Sequence, residues 1–405
     1  MKKILFLAFN YPNGFFGPST NCTLRIMKAL CESGRYEVHC VSYADRGEDA
    51  YEIIPNIVLH RLPMKAKMKK VPRWVKQLSF LLKLPLYPFD KPLLYFRLYH
   101  ASLDLIRSDH FDLVVSQCYP DECAWVGTFL KKHGFVDKLM VIFWDNIYGK
   151  LPRRVIPKGF ALHRQRWAEG IIAKYADRLV SLYPIKKFHG QYGELPEAVG
   201  KRAYLGIPSV IRPNVKPVSS KQDAIVNDKI NILYSGTIFR ESYVEYLVDL
   251  LNATPEAGNI NLIFFQRGVS SEKWGSLKER FRGTMYVSGW IPLPDLLALY
   301  PKVNFFMSYP GNPTAICSKL FEYVSFGKPI LVLYDDDSDV NISTFSTYPA
   351  CHCVDVRAQV SKNAPMLSEY IRAKNDFSIS FDEVEEMFMK DSPRAYVELI
   401  EKMLK

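Results

Sequence analysis

Residues 318–334 read Ser-Lys-Leu-Phe-Glu-Tyr-Val-Ser-Phe-Gly-Lys-Pro-Ile-Leu-Val-Leu-Tyr. The first nine residues have the pattern of a mostly apolar helix. Gly327-Lys328-Pro329 stops it, because glycine suits a helix C-terminus and proline cannot continue the helix. The unbroken apolar run 330–334 that follows fits a strand buried on both faces. Helix, tight turn and buried strand in this order are the repeating unit of a parallel α/β sheet.

The same alternation extends in both directions. Upstream, a strand at 230–234 ends in Ser235-Gly236-Thr237, followed by a helix at 241–252, a strand at 261–266, a helix at 271–281 and a strand at 303–308. The first half of the chain has strand patterns at 3–9, 36–43, 112–117, 138–144 and 178–183. A helix at 19–31 has Ser19 or Thr20 to cap its start and Gly34 after its end. Two doubly wound units in tandem are the simplest account. A chain of 405 residues is long enough for two domains. The reading places a Rossmann-like domain at 1–210, a second at 211–380, and a C-terminal helix at 381–405 that packs back toward the first. Two such sheets would face a central cleft.

Nearly half of the residues are apolar and about a quarter charged, as in globular proteins. Residues 1–210 hold 32 Lys+Arg against 18 Asp+Glu, and residues 211–405 hold 21 against 24, so the excess of +11 lies in the first half. A basic surface attracts phospholipid, polyphosphate or nucleic acid. No nucleic-acid-binding module is legible, so nucleic acid is not expected as a partner. The eight cysteines include no CxxC pair, and reduced thiols of a cytoplasmic protein are expected. The opening apolar run stops at Asn10-Tyr11-Pro12, too short for a signal peptide, and no run of about 20 apolar residues marks a membrane span.

Residues 61–83 break the rhythm. Eight basic residues (Arg61, Lys65, Lys67, Lys69, Lys70, Arg73, Lys76 and Lys83) occur there without an acid. Trp74, Val75, Leu78, Leu81 and Leu82 share one helical face. A basic amphipathic helix suits the surface of an anionic membrane; the alternative is a surface helix packed on its own domain.

Ligands of open parallel sheets bind beyond the carboxyl ends of strands. Four loops there could carry chemistry. In 10–18, Gly14 and Gly17 permit close backbone approach. In 235–240, Gly236 and Thr237 precede Arg240, whose planar fork suits a diphosphate; a solvated charge is the alternative. In 313–329, Ser318 is placed to cap a helix whose first N–H groups, at Lys319 and Leu320, suit phosphate, and Glu322 lies one turn on, where a carboxylate can accept both hydroxyls of a ribose. In 335–339, Asp335-Asp336-Asp337-Ser338-Asp339 contains an Asp-x-Asp suited to a divalent metal, although an acidic solvated loop fits its position better.

These residues, with Ala176-Asp177-Arg178-Leu179-Val180, Ile211-Arg212-Pro213-Asn214-Val215, Leu233-Tyr234-Ser235-Gly236 and Val287-Ser288-Gly289-Trp290-Ile291-Pro292, resemble the retaining GT-B glycosyltransferases of family 4 over nearly the whole chain. The resemblance implies the GT-B fold and the transfer of a sugar from a nucleotide diphosphate sugar to a glycan or lipid-linked acceptor, without a metal or other cofactor. It implies that Glu322 holds the donor ribose, that Arg240 or Lys319 neutralises the diphosphate, and that the Gly17 loop faces sugar and acceptor. Thr314 stands where the family often has a second glutamate that contacts the donor sugar, and Thr237 where an arginine is expected. Asp145 and Asn146 are candidates for the acceptor hydroxyl or, equally, for capping a strand. A non-catalytic nucleotide-sugar-binding subunit of a glycan-synthesis complex is the alternative function, supported by Thr314. The expected location is cytoplasmic, peripheral on the inner face of the membrane.

Overall fold

A computed structural model describes residues 1–10, 18–44, 56–63, 87, 92–118, 121–144, 156–215, 221–313 and 316–405. The chain divides into two units, one of Met1–Pro208 with Lys390–Lys405 and one of Ser209–Met389.

In the first unit the order is β1 (Lys2–Asn10), α1 (Pro18–Glu32), β2 (Tyr36–Ala44), β3 (Ile57–Pro63), α2 (Pro92–Ser108), β4 (Leu113–Cys118), α3 (Asp121–Lys132), β5 (Leu139–Phe143), α4 (Lys158–Tyr175), β6 (Arg178–Leu182), α5 (Ile185–Tyr192) and β7 (Arg202–Leu205). The strands form one parallel sheet in the order β3-β2-β1-β4-β5-β6-β7. Ile4 through Ala8 and Leu113 through Cys118 are buried throughout, because helices cover both faces of the central strands.

The edge strand β7 is held by charge as well as packing. The Arg202 guanidinium is almost fully buried and pairs with Glu169 of α4 and, at 3.0 Å, with Glu194. Tyr204 donates to the same Glu194 at 2.8 Å and contacts His189 of α5 at 2.8 Å. A buried guanidinium is tolerable only with such partners.

The second unit runs β8 (Ile230–Thr237), α6 (Glu241–Asn252), β9 (Ile260–Arg267), α7 (Ser271–Arg280), β10 (Thr284–Ser288), α8 (Leu293–Leu299), β11 (Phe305–Ser308), α9 (Ser318–Val324), β12 (Ile330–Tyr334), α10 (Val340–Phe345), β13 (Cys351–Asp355), α11 (Val360–Lys374) and α12 (Phe381–Met387). Its sheet is also parallel, in the order β10-β9-β8-β11-β12-β13. Two apolar clusters fill its two faces, one built on Leu247, Leu262, Phe264 and Phe305, the other on Leu233, Phe306, Leu320, Phe321 and Tyr323.

The single helix expected over 381–405 is two helices. After α12 the chain turns through Met389–Asp391, and Ser392 caps α13 (Pro393–Leu404), which belongs to the first unit. That return is pinned at Gly206, whose N–H donates to Lys390 O at 2.7 Å and whose carbonyl accepts from the Tyr396 hydroxyl at 2.7 Å. A Cβ at Gly206 would fall 1.7 Å from the Asp391 carboxylate, so only glycine fits. None of the helices among the described residues is long and apolar enough to cross a membrane.

Candidate functional site

In the second sheet the winding direction reverses between β8 and β11, and such a switch point leaves a crevice at the carboxyl ends of the two strands. Ser235, Gly236 and Thr237 end β8, and Ser308 ends β11 with Tyr309 directly after it. The chain leaving β11 returns as α9, which brings Lys319 and Glu322 to the same end of the sheet.

The Lys319 ammonium donates to the Ser235 carbonyl and, at 3.3 Å, to the Ser235 hydroxyl. Burial holds its pKa below the ordinary lysine value, while Glu322 and Cys317 act in the opposite direction. The Ser235 N–H donates to the Tyr323 hydroxyl at 3.2 Å, and the Ser235 hydroxyl lies 3.2 Å from Tyr323 and 3.5 Å from Tyr300. Tyr323 is fixed by stacking on Phe306 with ring centres 4.3 Å apart. Burial pushes the Tyr300 phenol well above its usual range, and Glu322, which shares a hydrogen bond with it, pushes it further. One serine thus links lysine, two tyrosines and, through Tyr300, the glutamate.

Gly236 is required at the centre of this cluster. A Cβ there would lie 2.7 Å from the Tyr234 hydroxyl and 3.3 Å from the Lys319 ammonium. Tyr234 donates to the Thr237 carbonyl at 2.8 Å and meets Tyr309 edge to face at 4.8 Å. The Tyr309 hydroxyl is buried with no hydrogen-bond partner among the described residues. Such a group is costly unless something pairs with it.

The fold is GT-B. Sucrose-phosphate synthase from Thermosynechococcus elongatus matches with a TM-score of 0.60 at 14% identity, over 100% of this chain and 99% of that one. HepE from Anabaena, solved with UDP and glucose, matches with a TM-score of 0.59 at 12% identity, over 99% and 100%. The lipopolysaccharide outer core galactosyltransferase WaaB matches with a TM-score of 0.55 at 15% identity, over 99% of each chain. No family model and no curated protein matches the chain.

Within this GT-B fold the structure brings together Ser318, Lys319, Glu322, Gly236 and Thr237. It differs from the sequence reading at Ser318 and Leu320, and Arg240 takes the exposed placement that the sequence left as its alternative. Cys317 stands at the N-cap of α9 and Ser318 is the first helical residue, because the Cys317 N–H is held by the Asn341 side chain at 2.8 Å and the helix starts after it. Leu320 is wholly buried in the core, and its N–H donates to the Cys317 carbonyl at 3.1 Å. Arg240 is exposed at the N-cap of α6, its guanidinium 3.4 Å from Asp335 and lying over the Tyr243 ring. The acidic loop is held by partners mostly outside it: Asp335 accepts from Tyr243, Asp336 from Ser338 at 2.7 Å, Asp337 pairs with Arg357, and Asp339 caps α10 through Asn341. No group of three His, Cys, Asp or Glu that could hold a metal occurs among the described residues. Gly17, Asp145, Asn146 and Thr314 lie outside the described residues, as does residue 64 onward of the basic segment.

The sequence placed Ser235 in the loop 235–240 and Tyr323 in the run Lys-Leu-Phe-Glu-Tyr but gave neither a role, and it missed Tyr300 and Tyr309, which come from separate elements. It also missed Trp290 with Arg267. Trp290 is exposed after β10, and the Arg267 guanidinium sits 4.4 Å from its ring centre at the end of β9.

Proposed function

We propose that the chain is a glycosyltransferase that moves a sugar from a nucleotide diphosphate sugar to a glycan or lipid-linked acceptor with retention of configuration. The observation that carries the reading is the Lys319–Ser235–Tyr300–Glu322 cluster at the switch point of the second sheet. The neighbour crystallised with UDP and glucose supports a nucleotide-sugar donor. In this reading Glu322 accepts the ribose hydroxyls, and Lys319 and Arg240 face the diphosphate. Arg240 would exchange its exposed pairing with Asp335 for the charged ligand, at little cost. Trp290 offers a flat face to the base.

The chemistry follows from charge. As the bond from anomeric carbon to phosphate breaks, negative charge grows on the leaving diphosphate, and a fixed ammonium stabilises that state more than the bound donor. The partly desolvated Lys319 strengthens this effect, since charges interact more strongly away from water. The cluster orients the donor, and the acceptor hydroxyl attacks the anomeric carbon. No metal is proposed. The basic segment 61–83 is proposed to hold the protein on an anionic membrane surface, where a lipid-linked acceptor resides.

A panel of nucleotide sugars tests the reading. One of them should raise the melting temperature in excess EDTA, since a specific ligand stabilises by mass action. The product of the matching transfer should keep the donor's anomeric configuration by NMR. Turnover abolished by EDTA and restored by manganese would show that the loop 335–339 had been misassigned.

A further inference from the structure

The candidate site uses none of the eight cysteines as a ligand, and five of them are buried. Cys351 and Cys353 are half-buried and lie two residues apart on β13. Alternation along a strand sends both side chains from the same face, and their sulfurs stand 3.8 Å apart. β13 is an edge strand, paired with β12 alone, so one side of it is free to deform. Residues two apart on a strand have Cα atoms about 6.6 Å apart, at the upper end of the roughly 4.4–6.8 Å that a disulfide spans. Their Cβ atoms leave the same face about as far apart, beyond the roughly 3.5–4.5 Å of a relaxed disulfide, so closing the bond requires the strand to bend. A bond closed there is stretched, which makes it easy to reduce again.

A sulfur–sulfur hydrogen bond joins the two thiols, and either sulfur can act as its donor, so either can begin an exchange. The Asp339 carboxylate lies close enough to Cys353 to act on its thiol through charge, and Asp339 Oδ1 accepts from the Asn341 N–H at 2.9 Å and from its side-chain amide at 2.8 Å. Asn341 Oδ1 in turn accepts from the Cys317 N–H at 2.8 Å, at the start of the helix that carries Lys319 and Glu322.

We propose that Cys351 and Cys353 form a reversible disulfide by exchange with a small-molecule disulfide of the glutathione class, and that closing it disturbs the start of α9. The thiolate of one of the two cysteines attacks one sulfur of the small disulfide, forming a mixed disulfide and releasing one thiolate. The other cysteine then gives its proton to the released thiolate and attacks the protein sulfur of the mixed disulfide, forming the internal bond and expelling the second thiolate. Two protein thiols are oxidised and one small disulfide is reduced to two thiols. The regulatory half rests on the donor site proposed above.

The full-length protein is incubated with oxidised glutathione, its remaining thiols are alkylated, and the peptide containing residues 351–353 is weighed; UDP affinity is measured in parallel by calorimetry. The peptide should be lighter by two hydrogens and unalkylated, and UDP affinity should fall severalfold and return with dithiothreitol. Cys353→Ser should form no internal bond and keep its UDP affinity in oxidised glutathione. Two alkylated cysteines after treatment would overturn the site, and an internal disulfide with unchanged UDP affinity would overturn its link to α9. If the reduced protein does not bind UDP, the link is overturned together with UDP as the bound nucleotide, while the peptide mass still decides the disulfide.

Discussion

Lys319 is an ammonium partly withdrawn from water, held below the ordinary lysine pKa by burial. The charged form is the one that binds diphosphate, so UDP affinity should fall as pH rises through this lowered pKa, earlier than a solvated lysine would allow. The free protein should respond oppositely. With the folded pKa below the unfolded one, stability rises with pH across the window between them. Lys319→Met should abolish the alkaline fall in affinity and weaken UDP binding about ten- to hundredfold, since a charge-assisted hydrogen bond contributes about 1.5 to 3 kcal/mol. Calorimetry across pH 7 to 10 checks both; an alkaline fall that survives the substitution would assign the titration elsewhere. Lys319, Glu322 and Gly236 were legible because local sequence places them after strands and on one helix. Tyr300 and Tyr309 were not, because nothing local says which tyrosine of a distant element will meet Ser235 or Tyr234.

Among the elements, the interior strands of both sheets are legible in the sequence, whereas its pattern predicts no strand at β3, β7, β10 or β13. All four are edge strands. An interior strand such as β4 is buried at every position and appears as an apolar run, while β7 and β10 are partly exposed along their length and have no such run. β7 shows what replaces the missing apolar signal. Arg202→Ala would leave Glu169, itself almost fully buried, without its main counter-charge. Breaking a buried pair in this way costs about 3–5 kcal/mol, and the loss should appear in urea unfolding as a lowered midpoint. A change below about 1 kcal/mol would mean that packing alone holds β7.

At the scale of the whole molecule, two parallel sheets with the same reversal of winding produce the GT-B fold, and the charge divides as +14 over residues 1–210 against −3 over 211–405. If the basic segment serves a membrane, the protein should pellet with phosphatidylglycerol vesicles at low salt and far less with neutral ones. Each basic residue near such a surface contributes roughly 1 kcal/mol, an attraction that decays within a Debye length. Changing Lys65, Lys67, Lys69 and Lys70 to Ser should release it with UDP affinity intact, and equal pelleting of both proteins would remove the membrane role. The central claim, a nucleotide diphosphate sugar held at the second sheet's switch point, depends most on Glu322. Its direct test is a calorimetric titration of the nucleotide sugar that stabilises the protein most into wild type and into folded Glu322→Ala. The account predicts saturable binding to wild type and a loss of about ten- to hundredfold in the variant. Equal affinity for both proteins would contradict it.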